Sequence, residues 1–295
     1  MRPRLSAVRS AFTLLELLVV IAILAIIAGG LIVAYDGLDS QAAKGQAAFN
    51  IKGLDQAVRT YATVNRQHPN NYDSLLFSTA GDGTDATALD ILPEKLKGKI
   101  GPFTLTPEAV AALNAVGITH LRYVTGGYPN DLSAIPSIPN RVFDDPPRGF
   151  GVSIPLTAGV VVAAVESSDG SNSIPDFSGA DPGTSSRLRD MAGLDPTRLH
   201  LVVVFGLGNN ATIVKSNDPG TSGMTSTALS EAPYYADLGK ERYSRYLVLY
   251  HLATDDEGDG LDSGDYLSKA RFLGVLDTNG DWYDEEYAEF TGQKQ

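Results

Sequence analysis

The residues with the clearest chemical potential are the acidic and amide side chains near the C-terminus. They cluster in two glycine-containing segments, 255–265 and 277–286. Ca²⁺ takes six to eight oxygen ligands, and Asp and Asn side chains spaced along a glycine-containing loop supply them with little backbone strain. We therefore expect a structural calcium site in this region. Its candidate ligands are Asp255, Asp256, Asp259, Asp262, Asp265, Asp277, Asn279 and Asp281.

The second acidic segment has part of a known calcium-binding pattern. Asp277, Asn279 and Asp281 have the one-three-five spacing of calcium loops. Trp282 stands where an EF-hand loop has glycine, and the twelfth position is Ala288 instead of Glu, so the segment is not an EF-hand. The two segments remain competing or cooperating sources of ligands. The alternative is an acidic, solvated surface that binds no metal.

Other catalytic chemistry has little support in the sequence. Cysteine is absent, which excludes disulfides, thiolate zinc sites and cysteine nucleophiles. The four histidines occur singly, and His200 and His251 fall in predicted strands, where we interpret them as packed side chains. The GLGNN segment at Gly206 lacks the third glycine of a dinucleotide-binding fingerprint and predicts a turn. We expect no enzymatic activity, and an anchored exported enzyme is the least favoured class.

A carboxylate also occurs at the N-terminal end, where charge is costly. Glu16 interrupts an apolar segment that continues from Leu17 to Ala34. That continuation would be about 27 Å long as a helix, close to the hydrocarbon thickness of a bilayer. An unpaired carboxylate there costs several kcal/mol, and the apolar core of a signal peptide has no use for one. Glu16 is therefore expected to have a partner, and an ordinary signal peptide or plain anchor is the weaker interpretation.

The residues around Glu16 resemble a known family. Phe12, Thr13, Leu14, Leu15 and Glu16 match, position by position, the motif that follows the short basic leader of type IV pilins and type II secretion pseudopilins. The leader of this chain carries three arginines, which place the N-terminus on the cytoplasmic side of the membrane. The family usually has glycine where this chain has Ala11, and alanine is the next smallest residue.

The resemblance implies a processing pathway and a role for Glu16. A prepilin peptidase would cut between Ala11 and Phe12, and the new amino group of Phe12 would be methylated. Glu16 would then neutralise the ammonium group of a neighbouring subunit during assembly. The expected partners are identical or related pilin-like subunits, the peptidase, an inner-membrane assembly platform and membrane lipid.

An amphipathic helix is predicted to follow the membrane segment. Ala47, Ile51, Leu54, Val58 and Tyr61 form an apolar stripe at helical spacing, and Pro69 ends the helical pattern. Asn70, Asn71 and Asp73 then favour turns. The stripe predicts a stem packed on a globular head. The expected organisation is a leader at 1–11, a transmembrane helix at 12–35, a stem helix at 36–66 and a head at 67–295.

The head is expected to contain a β-sheet and a short helix. Thr106 and Pro107 have the residue types of an N-cap and first turn, and they predict a helix that ends at Gly117. Turn-rich segments between the elements predict long surface loops. The fold class is therefore α+β, pilin-like, with a long N-terminal helix packed on an enlarged antiparallel sheet. The predicted strands are Thr119–Thr125, at an edge, and Gly159–Val165, Leu199–Phe205, Tyr246–Leu252 and Arg271–Leu276.

Charge narrows the class of partner. The 295 residues carry 35 acidic and 23 basic side chains, for a formal charge of −12, which disfavours nucleic acid. The leading interpretation is a filament subunit in the bacterial inner membrane, with its head on the periplasmic side before assembly. The stem-to-head junction and acidic C-terminus favour a type II secretion pseudopilin over a surface pilin. The alternative is a filament-tip adhesin or substrate-recognition subunit, with aromatic loop residues such as Tyr234 and Tyr235 as ligand contacts.

Overall fold

The protein is described by a computed structural model, and almost all of the predicted long loops lie outside its described residues. The chain divides into two compact units, Met1–Ala43 and Lys44–Gln295, with the boundary inside the first helix. Within that helix, the side chains of residues 32–41 are also outside the description. The described residues are 14–89, 91–96, 99–125, 151–165, 193–195, 198–214, 229, 231–235, 242–258 and 260–292.

Helix α1 spans Leu14–Asn65 and begins with the apolar segment. Its Leu14–Leu31 window has a mean hydropathy of 2.8, and none of its 18 residues is buried within the protein. A helix of this length and composition is long enough to cross a bilayer, and a soluble protein rarely leaves so much apolar surface exposed. The segment therefore fits membrane anchoring.

The later part of α1 belongs to the second unit and forms one side of its core. Ala47, Ile51, Leu54, Val58 and Tyr61 are all buried in a single hydrophobic cluster with residues of the sheet, which confirms the predicted stripe. Polar contacts fix the helix along the same face. The Tyr61 hydroxyl donates to Thr212 Oγ1 at 3.1 Å, and Arg59 Nη2 donates to the carbonyl of Leu273 at 3.3 Å.

The described strands form one mixed sheet, and the predicted α+β class is confirmed. The strand order is β3-β6-β7-β1-β4-β5, with β8 beside β7 and β9 beside β8. All described pairs are antiparallel except β1 with β4, whose parallel pairing uses the crossover through β2, β3 and α2. The elements are β1 Tyr72–Ser78, β2 Thr87–Ala88, β3 Ile100–Thr104, α2 Pro107–Asn114, β4 His120–Thr125, β5 Val152–Pro155, β6 Val161–Val165, β7 His200–Gly206, β8 Leu247–Thr254, β9 Tyr266–Leu276 and α3 Tyr283–Thr291.

Helix α2 begins as the sequence predicts, but the edge assignment of β4 is wrong. The Thr106 side chain accepts the Ala109 amide at 3.2 Å, the expected N-cap bond. Strand β4 lies between β1 and β5, with Tyr123 and most of the strand buried. The polar appearance of β4 comes from Arg122, whose guanidinium is buried and donates to the carbonyl of Gly151 at 2.8 Å.

Strand β1 contains an aspartate that the sequence favoured for a turn. Asp73 is buried, and its Oδ2 accepts the Tyr243 hydroxyl at 2.7 Å. This pair explains the glycines of GLGNN, which forms a turn after β7. A Cβ at Gly206 would collide with the Tyr243 hydroxyl at 2.0 Å, and one at Gly208 would collide with Asp73 Oδ2 at 2.2 Å. These glycines allow close packing around a buried polar pair.

Two of the histidines meet across the centre of the sheet. His200 on β7 and His251 on β8 are both buried, with His200 Nδ1 3.3 Å from His251 Nε2. His251 Nε2 also lies 2.8 Å from the carbonyl of Ala253, and the Thr254 hydroxyl contacts both rings. Burial, with the charges of His200 and Arg271, lowers the pKa of His251 to about 4. The folded state therefore favours the neutral imidazole of His251.

The His251 environment predicts an acid-sensitive fold. Because the folded state lowers this pKa, the unfolded chain binds more protons between pH 6.5 and 4, and stability contributed by His251 falls as the pH drops through that window. Between pH 7 and pH 5 we expect wild type to lose about 2 kcal/mol relative to His251→Gln. Urea unfolding of both proteins at the two pH values measures this difference. Parallel changes in the two proteins would contradict it.

Candidate cation site and assembly motif

The loop after β9 positions the first carboxylate of a buried acidic group. Asp277 Oδ1 accepts the amides of Asn279 at 2.9 Å and Asp281 at 2.7 Å, which closes a tight turn. Gly280 takes φ of 89° in this turn, a left-handed conformation that suits glycine. The Trp282 ring then lies against Gly274 of β9, where a Cβ would come within 2.7 Å of the ring. The contact between Trp282 and Gly274 thus holds the end of the loop against the sheet.

Helix α3 supplies a second carboxylate from the following turn. Glu285 Oε2 accepts the Trp282 amide at 2.8 Å, which caps the start of the helix. Glu286 then faces inward and is only 1% exposed. Its Oε1 accepts the hydroxyl of Tyr235 at 2.9 Å. The contact with Glu286 and the nearby charge of Asp277 add to burial in raising the pKa of Tyr235, so the phenol stays protonated and donates.

Asp277, Asp281 and Glu286 form one carboxylate cluster, which we call the acidic triad. One ligand oxygen from each residue lies within 4.8 Å of the others. Asp277 is 0% exposed, and the buried oxygens Asp277 Oδ2 and Glu286 Oε2 accept no hydrogen bond from an N–H or hydroxyl donor. The two carboxyl side chains lie close enough to share a proton when one of them is protonated. Burial first, and then the charges of neighbouring carboxylates, raises the pKa of Asp277. Burial also raises the pKa of Glu286, so full ionisation is costly without a cation.

The triad has the donor chemistry of a hard cation site. It offers only carboxylate oxygens, the ligands that Ca²⁺ prefers, and a single ion with bonds of about 2.3–2.6 Å can bridge oxygens at this separation. The two buried oxygens that accept no N–H or hydroxyl donor are the groups that such an ion would satisfy. Lys95 Nζ, 3.6 Å from Asp281 Oδ2, supplies part of the compensating charge. Because its side chain is 61% exposed, solvent screens that contribution.

The structure brings together only some of the predicted calcium ligands. Asp277 and Asp281 belong to the triad, whereas the Asn279 side chain hydrogen-bonds Tyr235. Within the part of the chain that the structure describes, no second group of three or more ligating side chains forms. Asp259 lies outside the described residues.

The other predicted ligands that the structure describes form hydrogen bonds and an ion pair outside the triad. Asp255 accepts the amides of Gly258 and Gly260. Asp265 accepts those of Asp256 and Asp262, at 3.2 and 2.8 Å. The Asp256 side chain forms an ion pair with Arg198. Asp255 and Asp265 therefore stabilise turns in this structure, while the ligand geometry is found at the later loop.

Sequence reasoning missed Glu286 as a member of the triad. The one-three-five spacing directed attention to an EF-hand register, in which the twelfth residue is Ala288. Trp282, four residues before Glu286, is the N-cap residue of α3 and has an extended backbone, so helical spacing between the two does not identify Glu286. The approach of Glu286 to Asp277 becomes visible only in the folded structure.

The N-terminal site is described only in part. Ala11 and Phe12 lie outside the described residues, so the cleavage and methylation assignments remain predictions. Glu16 lies in the first turn of α1, where a negative charge is favourable because the helix dipole is positive at that end. The assembly role of Glu16 and its contacts within a filament remain predictions.

The two aromatic residues suggested as ligand contacts both contact other side chains of the head. Tyr235 is buried and donates to Glu286. Tyr234 is partly exposed, but its ring covers the guanidinium of Arg245 at 3.6 Å. Tyr235 is therefore unavailable to a ligand in this conformation, whereas Tyr234 is 44% exposed, and the adhesin alternative stays a prediction.

Comparison with known proteins identifies the class of the N-terminal segment. Residues 7–32 match the family model for the prokaryotic N-terminal methylation motif. This motif is the signature of type IV pilins and pseudopilins, and it implies processing by prepilin peptidase and assembly with other pilin subunits. No curated protein and no solved structure matches the chain. The protein therefore carries a pilin-type N-terminus, and the comparisons leave its large head without a matched relative.

Proposed function

We propose that this protein is a structural subunit of a type II secretion or type IV pilus-like filament, with a type II secretion pseudopilin as the favoured form. The observation that carries the proposal is the methylation motif at residues 7–32, together with a strongly apolar Leu14–Leu31 helical segment of which no residue is buried within the protein. The head adds a rigid α+β unit with no catalytic constellation among its described residues. The junction and acidic C-terminus support the pseudopilin form.

The proposed assembly step depends on charge pairing in an apolar layer. Cleavage before Phe12 creates an ammonium group, and Glu16 is the fifth residue of the mature chain. Neither charge is stable alone in hydrocarbon, and pairing between neighbouring subunits lowers the cost of both. The inner-membrane platform would supply subunits to the growing filament, and the motor that drives assembly would be a separate protein.

Processing is tested by the mass of the chain made in a bacterium with prepilin peptidase. The expected product lacks residues 1–11 and carries one methyl group on the amino nitrogen of Phe12. Intact mass and N-terminal sequencing measure both changes, with a peptidase-deficient strain as the control. A chain that keeps Met1 in the peptidase-positive strain, or one cut after Ala28, would contradict the proposal.

The role of Glu16 is tested by Glu16→Ala. We expect at least about a tenfold loss of filament or cross-linked oligomer, because two apolar-layer charges lose their pairing. The melting temperature of the head should be unchanged, since Glu16 lies outside the unit that contains the core. Glu257→Ala, which removes an exposed charge from the head, is the matched control. Normal assembly of Glu16→Ala would remove the role assigned to Glu16.

We further propose that the acidic triad holds a structural Ca²⁺ ion. The support is the pair of buried oxygens on Asp277 and Glu286 that accept no N–H or hydroxyl donor, within ligand distance of Asp281. The ion would tie the loop after β9 to α3 and thereby fix the C-terminal end of the head. It would also remove the repulsion between three carboxylates that burial brings together.

The calcium proposal has a built-in optical probe. Trp282 is the single tryptophan of the chain, lies between Asp281 and α3, and is buried. Adding Ca²⁺ to chelator-treated full chain in detergent should change its fluorescence and raise the melting temperature. Glu286→Gln should lose both responses, and it should melt higher than wild type in chelator because one repelling charge is gone. Glu257→Gln should behave as wild type; equal calcium responses of wild type and Glu286→Gln would overturn the assignment.

A further inference from the structure

The acidic triad is open to solvent on the side of Asp281. Asp277 and Glu286 are 0% and 1% exposed, whereas the Asp281 side chain keeps 25% of its surface exposed. Asp281 is therefore the first of the three carboxylates that a cation from solution meets. Lys95 Nζ lies 3.6 Å from Asp281 Oδ2, so an entering cation passes a lysine ammonium group.

The backbone at Lys95 is held in place by the core and by an arginine. Leu92 and Leu96, on either side of Lys95, are both buried in the hydrophobic cluster. Arg242 Nη1 donates to the carbonyl of Leu92 at 3.3 Å, and Arg242 Nη2 lies 3.1 Å from Glu94 Oε1. These contacts fix the position from which the Lys95 side chain reaches toward the triad.

The ammonium end of Lys95 is held much more loosely than its backbone. The side chain is 61% exposed, and the 3.6 Å separation from Asp281 exceeds the 2.7–2.9 Å that is typical of a charge-assisted hydrogen bond. Lysine carries its charge on a flexible four-carbon stem. The ammonium group can therefore leave Asp281 for solvent without breaking a tight contact, as an exchangeable counter-ion must.

A cation on Asp281 and the nearby ammonium group would repel each other. Calcium binds oxygen at about 2.3–2.6 Å, so an ion on Oδ2 would come within about 6 Å of Lys95 Nζ in its present position. Like charges at that separation repel, and solvent screening keeps the repulsion modest. Movement of the ammonium group into solvent removes it, at the cost of the attraction between Lys95 and Asp281.

We propose that Lys95 is a tethered competitor for the acidic triad. Its ammonium group compensates the charge of Asp281 until Ca²⁺ binds, and it then moves into solvent. This inference rests on the proposed calcium site and adds the residue that limits how tightly the site holds its ion. Lys95 thus stabilises the calcium-free head and weakens calcium binding through the same contact.

Calcium titration of the full chain in detergent, followed by Trp282 fluorescence, tests the competition. Lys95→Gln removes the charge and keeps a polar side chain, and we expect it to bind Ca²⁺ about threefold more tightly than wild type. The gain should shrink in high salt, which screens exposed charges. Equal or weaker binding by Lys95→Gln would overturn the assignment.

Lys269→Gln is the matched control for that titration. Lys269 is exposed on β9, eight residues before Asp277, or roughly 25 Å away along the strand. It makes the same change in net charge as Lys95→Gln, and we expect its calcium affinity to equal that of wild type. A gain as large as that of Lys95→Gln would show an effect of net charge alone and would contradict the proposed competition.

Melting temperatures separate a competitor from a lysine with a purely structural role. In chelator, Lys95→Gln should melt below wild type, because Asp281 loses its compensating charge. In saturating Ca²⁺ the difference should disappear, since the ammonium group no longer contacts Asp281 in wild type. An equal deficit under both conditions would identify a structural role and overturn the competition.

The Glu286→Gln variant distinguishes failure of this inference from failure of the calcium site. If wild type responds to Ca²⁺, Glu286→Gln does not, and Lys95→Gln binds as wild type does, the calcium site stands and the role of Lys95 is wrong. If wild type shows no calcium response, both proposals are wrong.

Discussion

The head depends on burial of one face of α1 against the sheet. Ile51, Leu54 and Val58 are almost completely inaccessible to solvent, and they share a single core with the central strands β7 and β8. Removing that face would expose apolar surface on both helix and sheet, at about 25 cal/mol for each Å². Three further features depend on this contact. Strand β9 packs against Arg59 of α1, the loop after β9 carries the acidic triad, and α3 packs along α1.

The sequence predicts what is periodic and misses what depends on contacts between distant residues. The α1 stripe, the α2 cap at Thr106 and the apolar strands β6, β7 and β8 are visible because local spacing specifies them. Asp73 was placed in a turn because its residue type favours turns, and only its contact with Tyr243, 170 residues away, keeps it in a buried strand. The His200–His251 pair likewise depends on the register between β7 and β8, which no local pattern reveals.

The candidate cation site shows the same division within a few residues. Asp277 and Asp281 were predictable, since their spacing in a glycine-containing turn is typical of oxygen-rich loops. Glu286 could not be assigned from spacing alone, because its approach to Asp277 requires the loop to be held against β9 by Trp282 and Gly274. Asp255 and Asp265 have equally suitable residue types, yet they accept hydrogen bonds from backbone amides of their own loop. Composition identifies candidate metal ligands. Only the folded geometry distinguishes carboxylate oxygens that accept no hydrogen bond from those that already accept backbone amides.

Neighbouring residues of helix α3 face opposite ways. Glu286 turns inward to the triad, whereas Tyr287 and Phe290 turn outward. Without a cation, repulsion among the triad carboxylates acts on α3 directly, and the ion pair between Lys44 and Glu289 is too exposed to oppose it strongly. A cation that removes this repulsion would stabilise the position of both outward rings.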